Sequence, residues 1–312
     1  MKAEEIAWVV AGLFSLAALL ISVHLIRQHH VHFTRPVAQS KIVGILWMVP
    51  IYAVSSWLGL RFKDAAPTLN MMRDCYEGYA LYLFLALMVA YLGGGDERRV
   101  VALLETRKPM KTTFPMSLLF GKELPQGEQF LRWAKLGTLQ YSVIKPSCAM
   151  MALVLSLMGR FKEGDFDPRK GWVWLTIIIN ASVAVAFYSL VAFYVMLKEP
   201  LAPFKPVPKF LCIKAVLFLS FWQGVVVAGL ARLHLIHAIG GWSKENVETG
   251  IQDLLICTEM AIVATAHTIA FPVGPYVGGA ARHSGHILED HFAHHCAVRD
   301  FNEVMPVLLP SR

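Results

Sequence analysis

Seven long apolar runs, separated by shorter polar segments, set the pattern of this chain: residues 6–26, 42–60, 76–92, 140–159, 172–197, 211–231 and 251–271. At a helical rise of about 1.5 Å per residue, each has the length that lets a helix cross a hydrocarbon core of about 30 Å. The pattern predicts an all-α integral membrane protein, with seven transmembrane helices in one bundle over residues 1–275 and a tail over 276–312. The first run carries Glu4 and Glu5 ahead of it and is longer than the apolar stretch of a leader, so it is read as a retained helix.

The connections add detail. "ERRVVALLETRK" at 97–108 sets Val100, Val101, Leu103 and Leu104 among charges at near-helical spacing. That predicts an interfacial helix, with a solvated loop as the alternative. "FPMSLLF" at 114–120 is too short to span and is expected to dip into the headgroup layer. The proline-rich "KEPLAPFKPVPK" at 198–209 reads as a stiff hinge.

Composition agrees with the pattern: 56% of residues are apolar and 16% charged, which removes a water-soluble reading. Charge then orients the bundle. Lysines and arginines number 17 on the side of the connections 27–41, 93–139 and 198–210 plus the tail, against 10 on the other. The excess puts the N-terminus outside or in the lumen and the C-terminus in the cytosol. The net charge of +7 suits contact with anionic cytosolic lipid. Of five cysteines, Cys75 has no exoplasmic partner, and Cys212 is an acylation candidate, against the plainer reading of a small buried hydrophobe.

Several strings resemble those of the organic solute transporter α-subunit and transmembrane protein 184 family: "MVPIYAVSSWL" at 48–58, "RDCYEGYALYLFLAL" at 73–87, "YLGGG" at 91–95, "GDFD" at 164–167, "KFLCIKAVLFLSFWQG" at 209–224 and "LLICTEMAIVATAHTIAF" at 254–271. "GDFDPRKGWVWLTIIINASVAVAFYSLVAFY" draws the likeness closer to the transmembrane protein 184 branch. The resemblance implies a seven-helix membrane protein. For one branch it also implies transport of amphipathic organic anions and a single-span partner subunit. Two departures stand out. Relatives carry a cysteine cluster after the third helix, whereas residues 93–139 contain none, and a Gln-Arg pair of relatives is replaced here by Gln39 and Ser40, with Lys41 next.

Polar residues inside the runs are the candidates for function. By helical rise, Lys214, Lys145 and His267 lie about 5, 8 and 6 Å inside the cytosolic boundary. Snorkelling toward water is one reading of the lysines; an inward belt that holds the negative head of a lipid-like substrate is the other. Asn180, Gln223 and Glu259 form a second belt, each about 12 Å from the outer boundary. Glu259 needs a partner at that depth, either in a helix-packing network or in a substrate or proton site, and is expected beside Gln223 or Asn180. Pro50 and Pro146 interrupt their helices, and Tyr52 and Trp222 read as packing residues. In the tail, His286, Asp290 and His294 would share a helix face, yet a solvated tail is the plainer reading and no metal or cofactor is expected.

Other classes fail on specific residues. A seven-helix zinc hydrolase needs converging histidines, and none occurs between His32 and His234. A retinal protein needs a lysine in the last span, and 251–271 has none. No phosphate-binding glycine loop is present, and no catalytic group is expected. A facilitative carrier of amphipathic, sterol- or lipid-like organic solutes remains, with a receptor or scaffold in signalling or trafficking as the alternative. The expected partners are membrane lipids, the amphipathic solute, and a single-span subunit or further copies of the chain, with no nucleic acid. The plasma membrane or an endomembrane such as the vacuole is the expected location.

Overall fold

The computed structural model describes residues 3–112, 123–161, 167, 171–233 and 244–277. The segment 114–120 and the tail residues His283, His286, Asp290, His291, His294, His295 and Cys296 lie outside these. Among the described residues the chain is helical, and its extended pairing is one isolated bridge between Lys111 and Glu123. The main helices are α1 (Ala3–Val31), α2 (Pro36–Leu46), α3 (Met48–Arg61), α4 (Ala66–Gly93), α5 (Glu97–Glu105), α6 (Gly127–Leu157), α7 (Gly171–Met196), α8 (Pro206–Arg232) and α9 (Lys244–Ala270).

Among the described residues, six helical stretches are long and apolar enough to cross a membrane: Glu4–Val31, Pro36–Arg61, Lys63–Gly93, Gly127–Leu157, Gly171–Met196 and Asn246–Ala270. The expected span at 211–231 falls within α8. Several boundaries move. The second expected span is two helices, α2 and α3, meeting at Trp47, because Pro50 has no N–H to bond the carbonyl four residues back. The third reaches back to Ala66, which takes Arg73 and Asp74 out of a loop and into the helix that carries Glu77. The fourth begins at Gly127 rather than at residue 140, because Arg132 and Lys135 pair with Glu128 and Glu97 on its surface instead of ending it. The expected hinge at 198–209 is instead compact: a helical turn at Lys198–Leu201, a 3-10 turn at Ala202–Phe204, and α8 starting at Pro206.

The side chains sort as they do in lipid rather than in water. On α1, Leu13, Leu16 and Leu20 are exposed, while Ala11, Ser15, Ala18 and Ser22 are buried. Small residues let backbones approach, and van der Waals contact supplies the association that hydrophobic burial cannot give in hydrocarbon. Ser15 donates to the Ala53 carbonyl of α3 at 3.2 Å. On α6, Gly137 faces Ser189 of α7 so closely that a Cβ would stand 2.1 Å from its hydroxyl. Nearby, Gln140 donates to the Ser182 carbonyl at 2.7 Å and accepts from the Ser182 hydroxyl at 2.6 Å.

α1 packs on α3 and α9, α4 packs on α2, α3 and α6, and α6 packs on α7. Among the described residues α8 leans on α9 and meets α7 at few points. The amphipathic α5 lies across the ends of α4 and α6 with Val100 and Leu104 buried, capped by Asp96, which accepts from the Arg98 amide at 3.0 Å.

Candidate functional site

The most heavily charged part of the interior is built from α4. Arg73, Asp74 and Glu77 sit within one turn, so they project toward two neighbours. On the α6 side, Gly78 brings the backbones together, because a Cβ there would lie 3.0 Å from Ser142 Cα, and the Ser142 hydroxyl donates to the Gly78 carbonyl at 2.6 Å. That approach sets Lys145 against α4. Its ammonium donates to Glu77 and lies 3.2 Å from Asp74 Oδ1, while the Tyr141 hydroxyl donates to the other Glu77 oxygen at 2.8 Å. Lys145 and Glu77 side chains are 11% and 15% exposed, so the pair is buried in the bundle rather than snorkelling.

On the other side, Arg73 reaches α3 and α9. It donates to the Ser56 hydroxyl at 2.5 Å and to Asn70, and stands 3.6 Å from Asp253 of α9. Its guanidinium lies 5.9 Å from the centre of the Tyr52 ring. Gly59 keeps the approach to Asp253 open, since a Cβ would meet its carboxylate at 3.2 Å. Charged groups from α4, α6 and α9 therefore form two ion-paired branches rooted in one turn of helix. None of Arg73, Asp74, Glu77 and Asp253 stands out in the apolar pattern, because each falls at or beyond the edge of an apolar run.

Lys214 of α8 closes the arrangement. Its ammonium rests 3.5 Å above the centre of the Phe187 ring of α7, in cation–π range. Phe187 packs on the small core of Leu81, Tyr141 and Ala186, the same Tyr141 that bonds Glu77. Lys214 and Lys145 thus flank one patch. Lys145 stands eighteen residues into α6, about 27 Å from the helix start, because the helix begins well before the expected span.

The remaining sequence candidates fall elsewhere. Gln223 of α8 donates to Glu259 of α9, so the shared depth of these two does bring them together. One oxygen on each, Glu259 Oε2 and Gln223 Oε1, is buried without a partner among the described residues. Asn180 does not join them; it is exposed on α7 and donates to the Thr176 carbonyl of its own helix at 2.8 Å. His267 is 1% exposed, edge-on to Phe271, with neither ring nitrogen partnered among the described residues.

At that end His29 is also buried. Its ring donates to the Phe271 carbonyl at 3.1 Å, Thr34 donates to the Tyr276 carbonyl at 3.3 Å, and the Tyr91 and Tyr276 hydroxyls are hydrogen-bonded. Burial pushes the Tyr276 phenol above its ordinary pKa.

A groove of about 420 Å³ runs between α6 and α7, walled by Trp133, Leu136, Val143 and Val185. Its one amide, Gln140, is already engaged with Ser182 and Gly137, so the groove offers shape with little polar recognition. No group of three or more His, Cys, Asp or Glu among the described residues is arranged to hold a metal ion.

Comparison with known proteins agrees with the helical architecture. The family model described as organic solute transporter Ostalpha matches residues 7–276. Protein LAZ1 homolog 1 of Arabidopsis thaliana is 36% identical, over 88% of this chain and 60% of its own length. A transmembrane protein 184 homolog of Dictyostelium discoideum is 37% identical, over 88% of this chain and 54% of its own. The chain therefore spans little more than half the length of these relatives. No solved structure matches it significantly. With a family match over most of its length and six apolar helices packed around a charged interior, the chain belongs to the organic solute transporter Ostalpha family of multi-pass membrane proteins.

Proposed function

We propose that the chain is a facilitative carrier of amphipathic organic solutes, sterol- or lipid-like and anionic. It has seven spans, with α8 as the sixth, an outer or lumenal N-terminus and a cytosolic C-terminus. The observation that carries the proposal is Lys214. Among the described residues it has no ion pair, stands on an aromatic face, and lies beside a seam where α7 and α8 meet at few points. A fixed cation in a low-dielectric wall attracts an anionic head far more strongly than one in water. The seam then accepts the apolar body laterally from the bilayer. Lys145, already neutralised by Glu77 and Asp74, supports the wall and leaves Lys214 to select charge. The carrier performs no covalent chemistry, and a single-span subunit or further copies of the chain complete it in the membrane.

The test is flux. Purified protein in proteoliposomes is expected to move an anionic sterol conjugate saturably, faster than its neutral analogue. Absence of flux from this chain both alone and with a single-span partner would overturn the reading and favour a receptor or scaffold.

A further inference from the structure

Three cations gather at one end of the bundle, where α1 and α4 stop and α2 and α8 begin. Lys209, in the first turn of α8, donates to the Phe204 carbonyl at 2.6 Å, and its ammonium lies 5.8 Å from the centre of the Tyr91 ring at the end of α4. Lys205 precedes α8 and is close enough to Lys209 for the two charges to repel. Tyr91 stacks on Phe204 with ring centres 4.5 Å apart, and its hydroxyl is hydrogen-bonded to that of Tyr276. Arg35, at the start of α2, lies within electrostatic reach of the same Tyr276 phenol. Its backbone is held there by Thr34, which donates to the Tyr276 carbonyl, and by Gln39, which accepts from the Arg35 amide at 2.8 Å. Arg35 and Lys205 are exposed and Lys209 is half-buried. Among the described residues none of the three forms an ion pair, and Glu199, the carboxylate of the turn leading into α8, is taken by Arg107 at 2.7 Å.

The cluster is thus a patch of one sign at a membrane face. Lys205 gives it a second mark. Its φ is 47°, in the left-handed region that favours glycine, so a long cationic side chain is kept where the backbone would be easier without one. Just past it on α8, Val207 and Leu211 are exposed one turn apart and offer an apolar track. We infer that Arg35, Lys205 and Lys209 hold the head of a phospholipid that bears a phosphomonoester, with its acyl chains on the α8 surface. A phosphomonoester brings about 1.5 to 2 negative charges at pH 7 and three strong acceptor oxygens, whereas a diester head brings a single charge. The Arg35 guanidinium suits a bidentate grip on such a group, and the two lysines add point charges. Basic pockets between helix ends at the cytosolic face recognise phosphorylated heads in this way. The site lies apart from the Lys145 and Lys214 patch, and binding there does not rest on the carrier reading.

Microscale thermophoresis of the delipidated full chain in detergent, titrated with dioctanoyl forms of phosphatidylinositol 4-phosphate, phosphatidylinositol and phosphatidylserine, reads the inference directly. Phosphatidylinositol 4-phosphate is expected to bind at least about tenfold more tightly than the other two. Arg35→Gln with Lys205→Gly, the glycine suiting that φ, is expected to bring it within about twofold of phosphatidylinositol. Arg98→Gln with Arg99→Gln makes the same change of charge on α5 and is expected to leave the preference intact. Circular dichroism checks that each variant is folded, and the comparison of heads on the unaltered chain decides without them. Equal binding of the three lipids would overturn the inference, as would an equal loss in both variants, which would reduce the effect to net charge. Free inositol 1,4-bisphosphate bound as tightly as the lipid would also overturn it, since the α8 surface would then contribute nothing.

Discussion

Two polar sites inside the bundle answer the same problem differently. Around Lys145 the buried groups are partnered: the ammonium meets Glu77 and Asp74, Tyr141 covers the second Glu77 oxygen, and α4 and α6 are pinned in register. Among the described residues Glu259 has one side-chain hydrogen bond, from Gln223, and an oxygen on each partner is left over. A buried charge is costly in hydrocarbon, and so is a buried group that is half satisfied. The contrast separates a site that holds its helices in place from one that leaves α8 less firmly tied to α9, on the helix that also carries Lys214.

The largest expected effect comes from breaking the matched site. Lys145→Met strands Glu77 and is expected to cost about 3–5 kcal/mol in a detergent unfolding series, whereas Lys145→Met with Glu77→Leu regains most of it. A single variant as stable as wild type would show the pair to be idle. Arg73→Met, which takes from Asp253 the cation 3.6 Å away, is expected to cost about 2–3 kcal/mol by the same measurement.

Lys214→Gln sits between the two regimes. Stability is expected to hold, while binding of an anionic sterol conjugate weakens by about 1–3 kcal/mol and that of a neutral analogue does not. Equal loss for both, normalised to protein in the membrane, would remove Lys214 from charge selection. At Glu259 the effects are smallest. Glu259→Leu is expected to cost about 1 kcal/mol and Glu259→Gln less than about 0.5 kcal/mol, in line with interhelical hydrogen bonds in other bundles. A larger loss for the glutamine variant would mean that the carboxylate has a partner beyond Gln223.

How much of this was legible before any coordinates depends on which coordinate of a helix is asked for. Depth was legible, because the rise per residue is constant: Gln223 and Glu259 count to the same level and do meet. Rotation was not. Asn180 counts to that level as well, yet it faces out of α7, and the apolar α7 sequence carries no stripe that says which side is inward. Helix ends were the second blind spot. Arg132 and Lys135 look like loop charges until Glu128 and Glu97 are brought beside them, and with that loop gone Lys145 moves from an edge to mid-helix. Arg73, Asp74 and Glu77 were hidden for the same reason. The spacing of Arg73 and Glu77, four apart and running straight into an apolar span, was the signal that the helix continues through them.

The ties at Phe271 and Tyr276 also bear on assembly. α1 is synthesised before the other helices, but it lies against α9, and both His29 and Thr34 bond to carbonyls that follow α9 in the chain. Until that last stretch has left the ribosome, α1 has only part of its final neighbourhood, and the buried His29 ring must find a temporary acceptor in lipid, water or an insertion chaperone. Closure of the bundle is therefore a late event of biogenesis, and a nascent chain stopped before residue 271 would present an unfinished first helix to the membrane quality-control machinery.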